Sequence, residues 1–390
     1  MAGLNETPRG NRIHIAFFGL RNAGKSTLVN AFTGQQIAIV SDVPGTTTDP
    51  VSKAMEILPL GPCLVTDTAG LDDVGALGEM RVKKALDVLA TTDIAVWVEG
   101  KEEGEGRKEN VPKDAFLDSC RKQGVVVLEY QRGDSVEELK KKIAAVRLGE
   151  QVPGLLDGLV EKGDRVLCVV PIDESAPKGR LILPQQQVIR ECLDKHVTVV
   201  VCQPEELSGF LSWGVFGLRG RLLIVTDSQA FGRVTQTLKN ANTQNLKLTS
   251  FSLLFAKQKG DLQEFAKGLK TIESLKDGDT VLVAEGCTHH RQCNDIGSVK
   301  IPKALEKLSG KKLKFEFSSG GTFDLRRAED VAPCRLVVHC GGCMLTRREM
   351  LRRIDMAKAA GVPIVNYGLL LAQASGIGIA SLIDGLTASN

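Results

Sequence analysis

Gly19-Leu20-Arg21-Asn22-Ala23-Gly24-Lys25-Ser26, set directly behind the apolar run Ile13–Phe18 and leading into a helix-compatible stretch, is the segment on which the fold turns. Its glycines let the backbone curl so that successive amides, those of Ala23 and Thr27 among them, face the α- and β-phosphates of a nucleotide. Lys25 offsets β/γ charge and Ser26 ligates Mg2+. Taken as packing alone, the segment would be a glycine-rich turn; the strand before it and the helix after it identify a phosphate loop. The residues that follow keep to the plan of a parallel α/β sheet. Cys63–Thr66, Ile94–Val98 and Val125–Leu128 read as buried strands, with helices near Leu77–Leu89, near Lys113–Gln123 and over Val136–Val146.

Two further segments complete a nucleotide switch. Asp67-Thr68-Ala69-Gly70 follows a strand, which places a carboxylate to hold Mg2+ through water and a glycine amide to sense the γ-phosphate. Thr46, Thr47 and Thr48, after Pro44-Gly45, supply candidate hydroxyls for the metal, with Thr47 taken as the ligand. The three elements resemble those of the small GTPases, most closely the branch with Gly-Thr-Thr in switch I, and the resemblance implies GTP. Asn22 matches the asparagine that helps hold K+ in potassium-activated members. Leu71 stands where efficient hydrolases often carry a water-orienting glutamine, so slow turnover is expected. The guanine-reading Asn-Lys-x-Asp string is missing. Gln131-Arg132-Gly133-Asp134 is the best positional candidate, with Asp134 as the base acceptor; equally, Val125–Ile143 reads as the last strand and helix of a domain that lacks one βα unit.

The second chemistry lies near the other end of the chain. Cys287-Thr288-His289-His290 is answered by His339-Cys340-Gly341-Gly342-Cys343, and three of the five histidines, His289, His290 and His339, fall in these two clusters. Each cluster leaves the end of an apolar run, Val281–Ala284 or Leu336–His339, where open α/β sheets place ligand sites. Three thiolates suit an iron–sulfur cubane whose last iron takes histidine, water or an exchangeable ligand; two Cys with two His would instead close a zinc site. A packed Cys-x-x-Cys or a redox pair is the plainer alternative.

Composition narrows the classes. The 390 residues favour two or three domains, and 43% hydrophobic with 25% charged residues describe a globular chain. A net charge of +3 is too small to imply nucleic-acid binding, and runs such as Lys140–Lys142 and Lys311-Lys312 read as solvated faces. Ten cysteines without a secretory signal suggest a reducing compartment, the cytoplasm or a reducing organelle lumen. Gly361–Leu386 is apolar but broken by Pro363, Asn366, Gln373 and Ser375, so it reads as strand, turn and helix, with no membrane span expected. Between the two chemical regions, a helix-like Leu155–Lys162 and the strands Arg165–Val170 and Leu222–Thr226 suggest another small α/β unit.

With a phosphate loop at the front and Cys-x-His…His-Cys-x-x-Cys at the back, the chain resembles the HydF family of maturation GTPases for iron–iron hydrogenases. The likeness includes Pro44–Pro50, Ala176–Pro184, Thr226–Phe231, Leu248–Ser252, Lys259–Leu262, Cys287–His290 with Asp295–Gly297, His339–Met344 and Asn366–Gly368; about 99–150 departs from it. It implies an α/β fold in which a P-loop GTPase domain, 1–150 and shortened after 99, precedes two smaller α/β domains, 151–268 for dimerisation and 269–390 for a 4Fe-4S cluster. By the same resemblance Cys287, Cys340 and Cys343 are the cluster ligands. His289 and His339 become candidates for the fourth position or for a place behind the ligands, while Cys293 has no assigned part. The implied role is that of a homodimeric scaffold that takes a transient di-iron precursor from radical-SAM maturases and passes it to apo-[FeFe]-hydrogenase. The rivals are a zinc-stabilised GTPase acting on RNA or the ribosome, and a redox enzyme, which would want a flavin or dinucleotide fingerprint that the sequence lacks.

Overall fold

The computed structural model describes residues 7–36, 50–72, 76–100, 111–147, 152–172, 181–212, 221–239, 246–287, 295–320, 323, 325, 334–377 and 386. Thr46–Thr48, His289, His290 and Cys293 lie outside the described residues. The chain divides into two compact units, Met1–Gln151 and Val152–Asn390.

In the first unit, β1 (Ile13–Phe18), α1 (Lys25–Thr33), β2 (Val51–Ile57) and β3 (Gly61–Asp67) are followed by α2 (Ala76–Leu89), β4 (Ile94–Glu99), α3 (Val111–Lys122), β5 (Val126–Gln131) and α4 (Val136–Ala144). The sheet order is β2-β3-β1-β4-β5, parallel except for β2, which runs antiparallel to β3 at the edge. Strand periodicity explains the two-sided core. Ile15, Phe17, Val96 and Val98 face Leu28, Val29, Phe32, Leu139 and Ile143, while Ala16, Phe18, Ala95 and Trp97 face Phe116 and Cys120. The fully apolar pattern of β1 and β4 reveals them in the sequence; β2 alternates exposed Ser52, Ala54 and Glu56 with half-buried residues, a weaker signal. Ser135 caps α4 by accepting from the Glu138 amide.

The second unit holds two four-stranded sheets. The first is built from β6 (Arg165–Val169), α5 (Leu183–Asp194), β7 (Thr198–Cys202), α6 (Leu207–Ser212), β8 (Leu222–Thr226), α7 (Phe231–Leu238) and β9 (Leu246–Ser250), in the order β7-β6-β8-β9. Next come α8 (Phe251–Lys259) and α9 (Leu262–Lys270). The last sheet comprises β10 (Thr280–Glu285), α10 (Ile301–Ser309), β11 (Lys314–Ser319), β12 (Leu336–His339), α11 (Arg347–Ala359), β13 (Ile364–Asn366) and α12 (Tyr367–Ala374), in the order β11-β10-β12-β13. Every pairing in these two sheets is parallel. One buried apolar cluster runs from Leu155 through Phe255 and Phe265 to Val338 and Leu370, so the two sheets share a core.

Residues 155–162 are a series of turns and not the helix that their leucine spacing suggests. Gly158 has φ +72°, and the Leu155 and Leu156 amides donate to the Glu191 carboxylate instead of to a helical ladder. The apolar C-terminal stretch does form strand β13 and helix α12, and among the described residues no helix is long and apolar enough to cross a membrane.

Candidate functional site

The phosphate loop joins the end of β1 to the start of α1. Asn22, at φ +58°, and Gly24, at φ +93°, hold the left-handed turns that curl it. Lys25 is buried, and its ammonium donates to the carbonyls of Leu20 at 2.7 Å and Gly19 at 3.2 Å. Ser26 Oγ donates to Asp67 Oδ2 at 2.6 Å, which brings the hydroxyl expected to meet magnesium and the carboxylate from β3 together. Burial raises the Asp67 pKa, against the Ser26 hydroxyl, the Lys25 charge and the Thr68 amide. Its other oxygen, Oδ1, is fully buried and meets no donor in the described structure. An orphaned buried carboxylate oxygen beside a serine hydroxyl fits a divalent cation.

Behind Asp67, Thr68 Oγ1 donates to the Phe17 carbonyl at 2.6 Å and fixes the loop to β1. Gly70 lies so close to Arg21 that a Cβ there would stand 2.8 Å from the Arg21 amide nitrogen. Asp72 clasps the same residue through the Arg21 amide at 2.6 Å. The Asp67–Asp72 segment is therefore held against the phosphate loop. Gln131–Asp134 leaves the end of β5, which pairs directly with β4. There Asp134 Oδ2 accepts the Gln131 amide at 3.0 Å, and Tyr130 OH donates to the Asp134 carbonyl. That carboxylate closes its own turn.

The cysteines converge at the C-terminal ends of β10 and β12, neighbouring strands of the last sheet. Cys340 Sγ accepts the amides of Gly286 at 3.2 Å and Gly342 at 3.4 Å, and Cys287 and Cys343 are near enough to act on it electrostatically. Burial and this mutual repulsion push the Cys340 thiol up to about 12 and Cys287 up to about 11. Burial also raises Cys343, against the Lys259 charge. Left to themselves the thiols keep their protons; a bound cation would displace them. Gly342, at φ +67°, makes the sharp turn between Cys340 and Cys343, where a Cβ would stand 2.4 Å from Met350 Cε.

Lys259, at the end of α8, is a residue to which the sequence assigned no role. It is 1% exposed, and its ammonium donates to the carbonyls of Gly342 (3.3 Å), Cys343 (3.0 Å) and Leu345 (2.6 Å). Burial lowers its pKa to about 8 while Cys343 and Cys340 act in the other direction. Asn366 ties the last strand to the same loop through a 3.5 Å contact with the Cys340 carbonyl and caps α12 at the Gly368 amide.

His339 is fully buried with both ring nitrogens engaged. Nδ1 lies 2.8 Å from the Cys340 carbonyl and Nε2 lies 3.1 Å from Arg353 Nη1. Because arginine only donates, Nε2 accepts and Nδ1 carries the proton. Burial first, then the Arg353 charge, lowers the pKa to about 4, so the ring is neutral. Arg353, also fully buried, bonds Glu349 at 2.8 Å and the Gly320 carbonyl at 2.6 Å, with Phe323 against its plane. In this arrangement His339 braces the cysteine loop from behind. Among the described residues no set of three or more Cys, His, Asp or Glu side chains is gathered tightly enough for a single metal ion. A cubane spreads its thiolates over separate irons, so three neighbouring thiols, one of them accepting two amides and with an ammonium held on the carbonyls of their loop, fit a cluster better than zinc.

Two family models match this half of the chain. Residues 155–260 match the hydrogen maturase F dimerization domain and residues 263–382 the hydrogen maturase F tetramerization domain, together more than half of the sequence. This chain belongs to the hydrogen maturase F family. The segment that carries the three thiols is thus the family's tetramerization domain, and the boundary between the matched regions falls just past Lys259. Residues 14–129 match the model described as a 50S ribosome-binding GTPase. Among curated proteins, the tRNA modification GTPase MnmE of Zymomonas mobilis is 30% identical over 189 residues, 47% of this chain and 38% of that protein. GTPase Der of Xylella fastidiosa is 36% identical over 151 residues, 36% of this chain and 32% of its own length. The chain therefore spans about a third of the length of these relatives. A crystal structure of Era from Aquifex aeolicus aligns over 81% of this chain and 96% of that one at 16% identity, with a TM-score of 0.27.

Proposed function

We propose that this maturase binds and slowly hydrolyses GTP and acts as an oligomeric scaffold for hydrogenase maturation. In this reading it carries a 4Fe-4S cluster on Cys287, Cys340 and Cys343, accepts a di-iron precursor from radical-SAM maturases and delivers it to apo-[FeFe]-hydrogenase. The observation that carries the reading is the convergence of three half-buried thiols, two amide donors to Cys340 and the Lys259 ammonium in a chain of this family. A bound cluster would supply an iron with an exchangeable position. The chain's own part is to hold the thiolates, shield them and balance their charge through Lys259.

In the nucleotide site, Lys25 and the loop amides bind the phosphates, Ser26 and Asp67 hold Mg2+ together with Thr47, and Gly70 senses the γ-phosphate. Leu71 presents no side-chain donor for a water; its amide donates to the Gly19 carbonyl. Hydrolysis is accordingly slow and stimulated by K+ through Asn22. Asp134 would read guanine with the oxygen that its turn leaves over. The rival reading, a zinc-stabilised GTPase on RNA or the ribosome, draws on the name of the model that residues 14–129 match. The engaged His339 nitrogens count against a two-Cys, two-His zinc site.

The test is transfer. Anaerobically reconstituted protein is incubated with the radical-SAM maturases, re-isolated and mixed with apo-hydrogenase. Hydrogen evolution is expected from the native chain and not from Cys340→Ala. A native chain that retains its iron and never activates apo-hydrogenase refutes the scaffold role.

A further inference from the structure

The three sheets repeat one parallel strand order. Strands β3-β1-β4-β5, β7-β6-β8-β9 and β11-β10-β12-β13 each place the second strand of the parallel series on one side of the first and the third on the other. In such sheets the connections diverge beside the first strand, and the crevice that opens beyond the strand ends there is the usual ligand site. The first sheet has its phosphate loop after β1, and the last has Cys287 after β10 and Cys340 after β12. The middle sheet has a crevice between β6 and β8 to which neither chemistry lays claim.

That crevice is a cavity of about 380 Å³. Pro171, two residues beyond β6, and Ser228 and Gln229, just beyond β8, form its floor. Across from them α10 presents a row of cations. Lys300, immediately before the helix, Lys303 and Lys307 recur at helical spacing on one side, and Arg233 of α7 adds a fourth positive group. Among the described residues none of the lining groups is a carboxylate. Arg233 pairs with the exposed Glu205, and Lys300 donates to Gln229 Oε1, a neutral partner that leaves its charge in place. Lys303 and Lys307 make no hydrogen bond or ion pair within the described structure. Ala304 and Leu371 give the remaining wall an apolar surface.

Concentrated positive charge in a concave site attracts anions, and a volume of this size is that of a small-molecule pocket. The row of cations suits phosphoryl oxygens, and the apolar wall suits the body that carries them. The geometry points to a second ligand site in this protein, at the switch point of the middle sheet, for a small molecule bearing a di- or triphosphate group. The site is separate from the phosphate loop and stands independently of the scaffold reading.

The experiment uses full-length Lys25→Ala, in which the phosphate loop is disabled, and isothermal titration with pyrophosphate, GDP and inorganic phosphate. The expected result is saturable binding of pyrophosphate or GDP that falls at least about tenfold in Lys303→Glu/Lys307→Glu, a loss of one charge-assisted contact or more. The corresponding double arginine variant should retain binding, and so should Lys140→Glu/Lys141→Glu, a charge reversal on the other unit. Tighter GDP than pyrophosphate supports a nucleotide occupant, and equal affinity supports a non-nucleoside phosphate. Both lysines are exposed, so circular dichroism should show that the variants keep their fold. The proposal is overturned if no probe saturates, or if reversal at Lys140 and Lys141 costs as much as reversal at Lys303 and Lys307.

Discussion

Lys25 and Lys259 are both buried ammonium groups held by backbone carbonyls, and each sits where an anionic ligand is proposed. In Lys25→Ala the loop amides persist while the point cation is lost. Triphosphate affinity should fall ten- to a hundredfold, about 1.5–3 kcal/mol, in a titration with a fluorescent GTP analogue, and iron content should be unchanged. Lys259→Met removes the donor shared by three carbonyls of the cysteine loop. Each orphaned carbonyl is costly, and relief from a buried charge offsets only part of that. We expect a stability loss of about 1–3 kcal/mol in urea titration and poorer retention of iron after reconstitution. Equal midpoints and equal iron would show that the loop needs no cation. Asn22 predicts faster hydrolysis in potassium than in sodium; equal rates would contradict a role for it.

The pairing of Glu349 and Arg353 along α11 joins the helix to His339 at the end of β12. Burial raises the Glu349 pKa, but the hydrogen bonds and charges of Arg352 and Arg353 prevail and hold it below 4.5. The folded state therefore releases the proton more readily than the unfolded chain does. The resulting stability is complete above pH 4.5 and is lost as pH falls through the folded value. Glu349→Gln should lose about 3–5 kcal/mol at neutral pH, because Arg353 is left buried without its counter-charge, and should show a shallower acid limb. Denaturation midpoints across that range check both effects; a variant with the native acid limb would show that Glu349 is not the titrating group. Elements differ in how plainly the sequence announces them. Strands β1, β4 and β12 are buried on both faces and stand out as apolar runs, and the phosphate loop and cysteine pair sit at their ends as expected. Turns at 155–162 imitate a helix because the leucine spacing does not register Gly158 or the distant Glu191 carboxylate. The bracing of His339 depends on an arginine 14 residues later, and the clasp of Lys259 on carbonyls more than 80 residues away, contacts that no local pattern encodes.

At the scale of the whole molecule, the phosphate loop and the three cysteines belong to different compact units, and modules named for dimerisation and tetramerisation make up the second. The proposed γ-phosphate sensor would serve the proposed scaffold if nucleotide state biases partner exchange. Affinities of a maturase and of apo-hydrogenase should differ several-fold to a hundredfold between the GDP form and the form with a non-hydrolysable GTP analogue, a coupling of about 1–3 kcal/mol. Surface-binding measurements on both forms and on Lys25→Ala test this, and identical dissociation rates in every state would remove gating from the account. The central claim is that Cys287, Cys340 and Cys343 carry a 4Fe-4S cluster. Its most direct test is iron, sulfide and zinc analysis with electron paramagnetic resonance on the chain purified and reconstituted without oxygen, alongside the three Cys→Ala variants. The account predicts about four iron and four sulfide per native chain, an oxygen-sensitive signal, and near-complete loss in each variant. Stoichiometric zinc without sulfide, or full iron in all three variants, would contradict it.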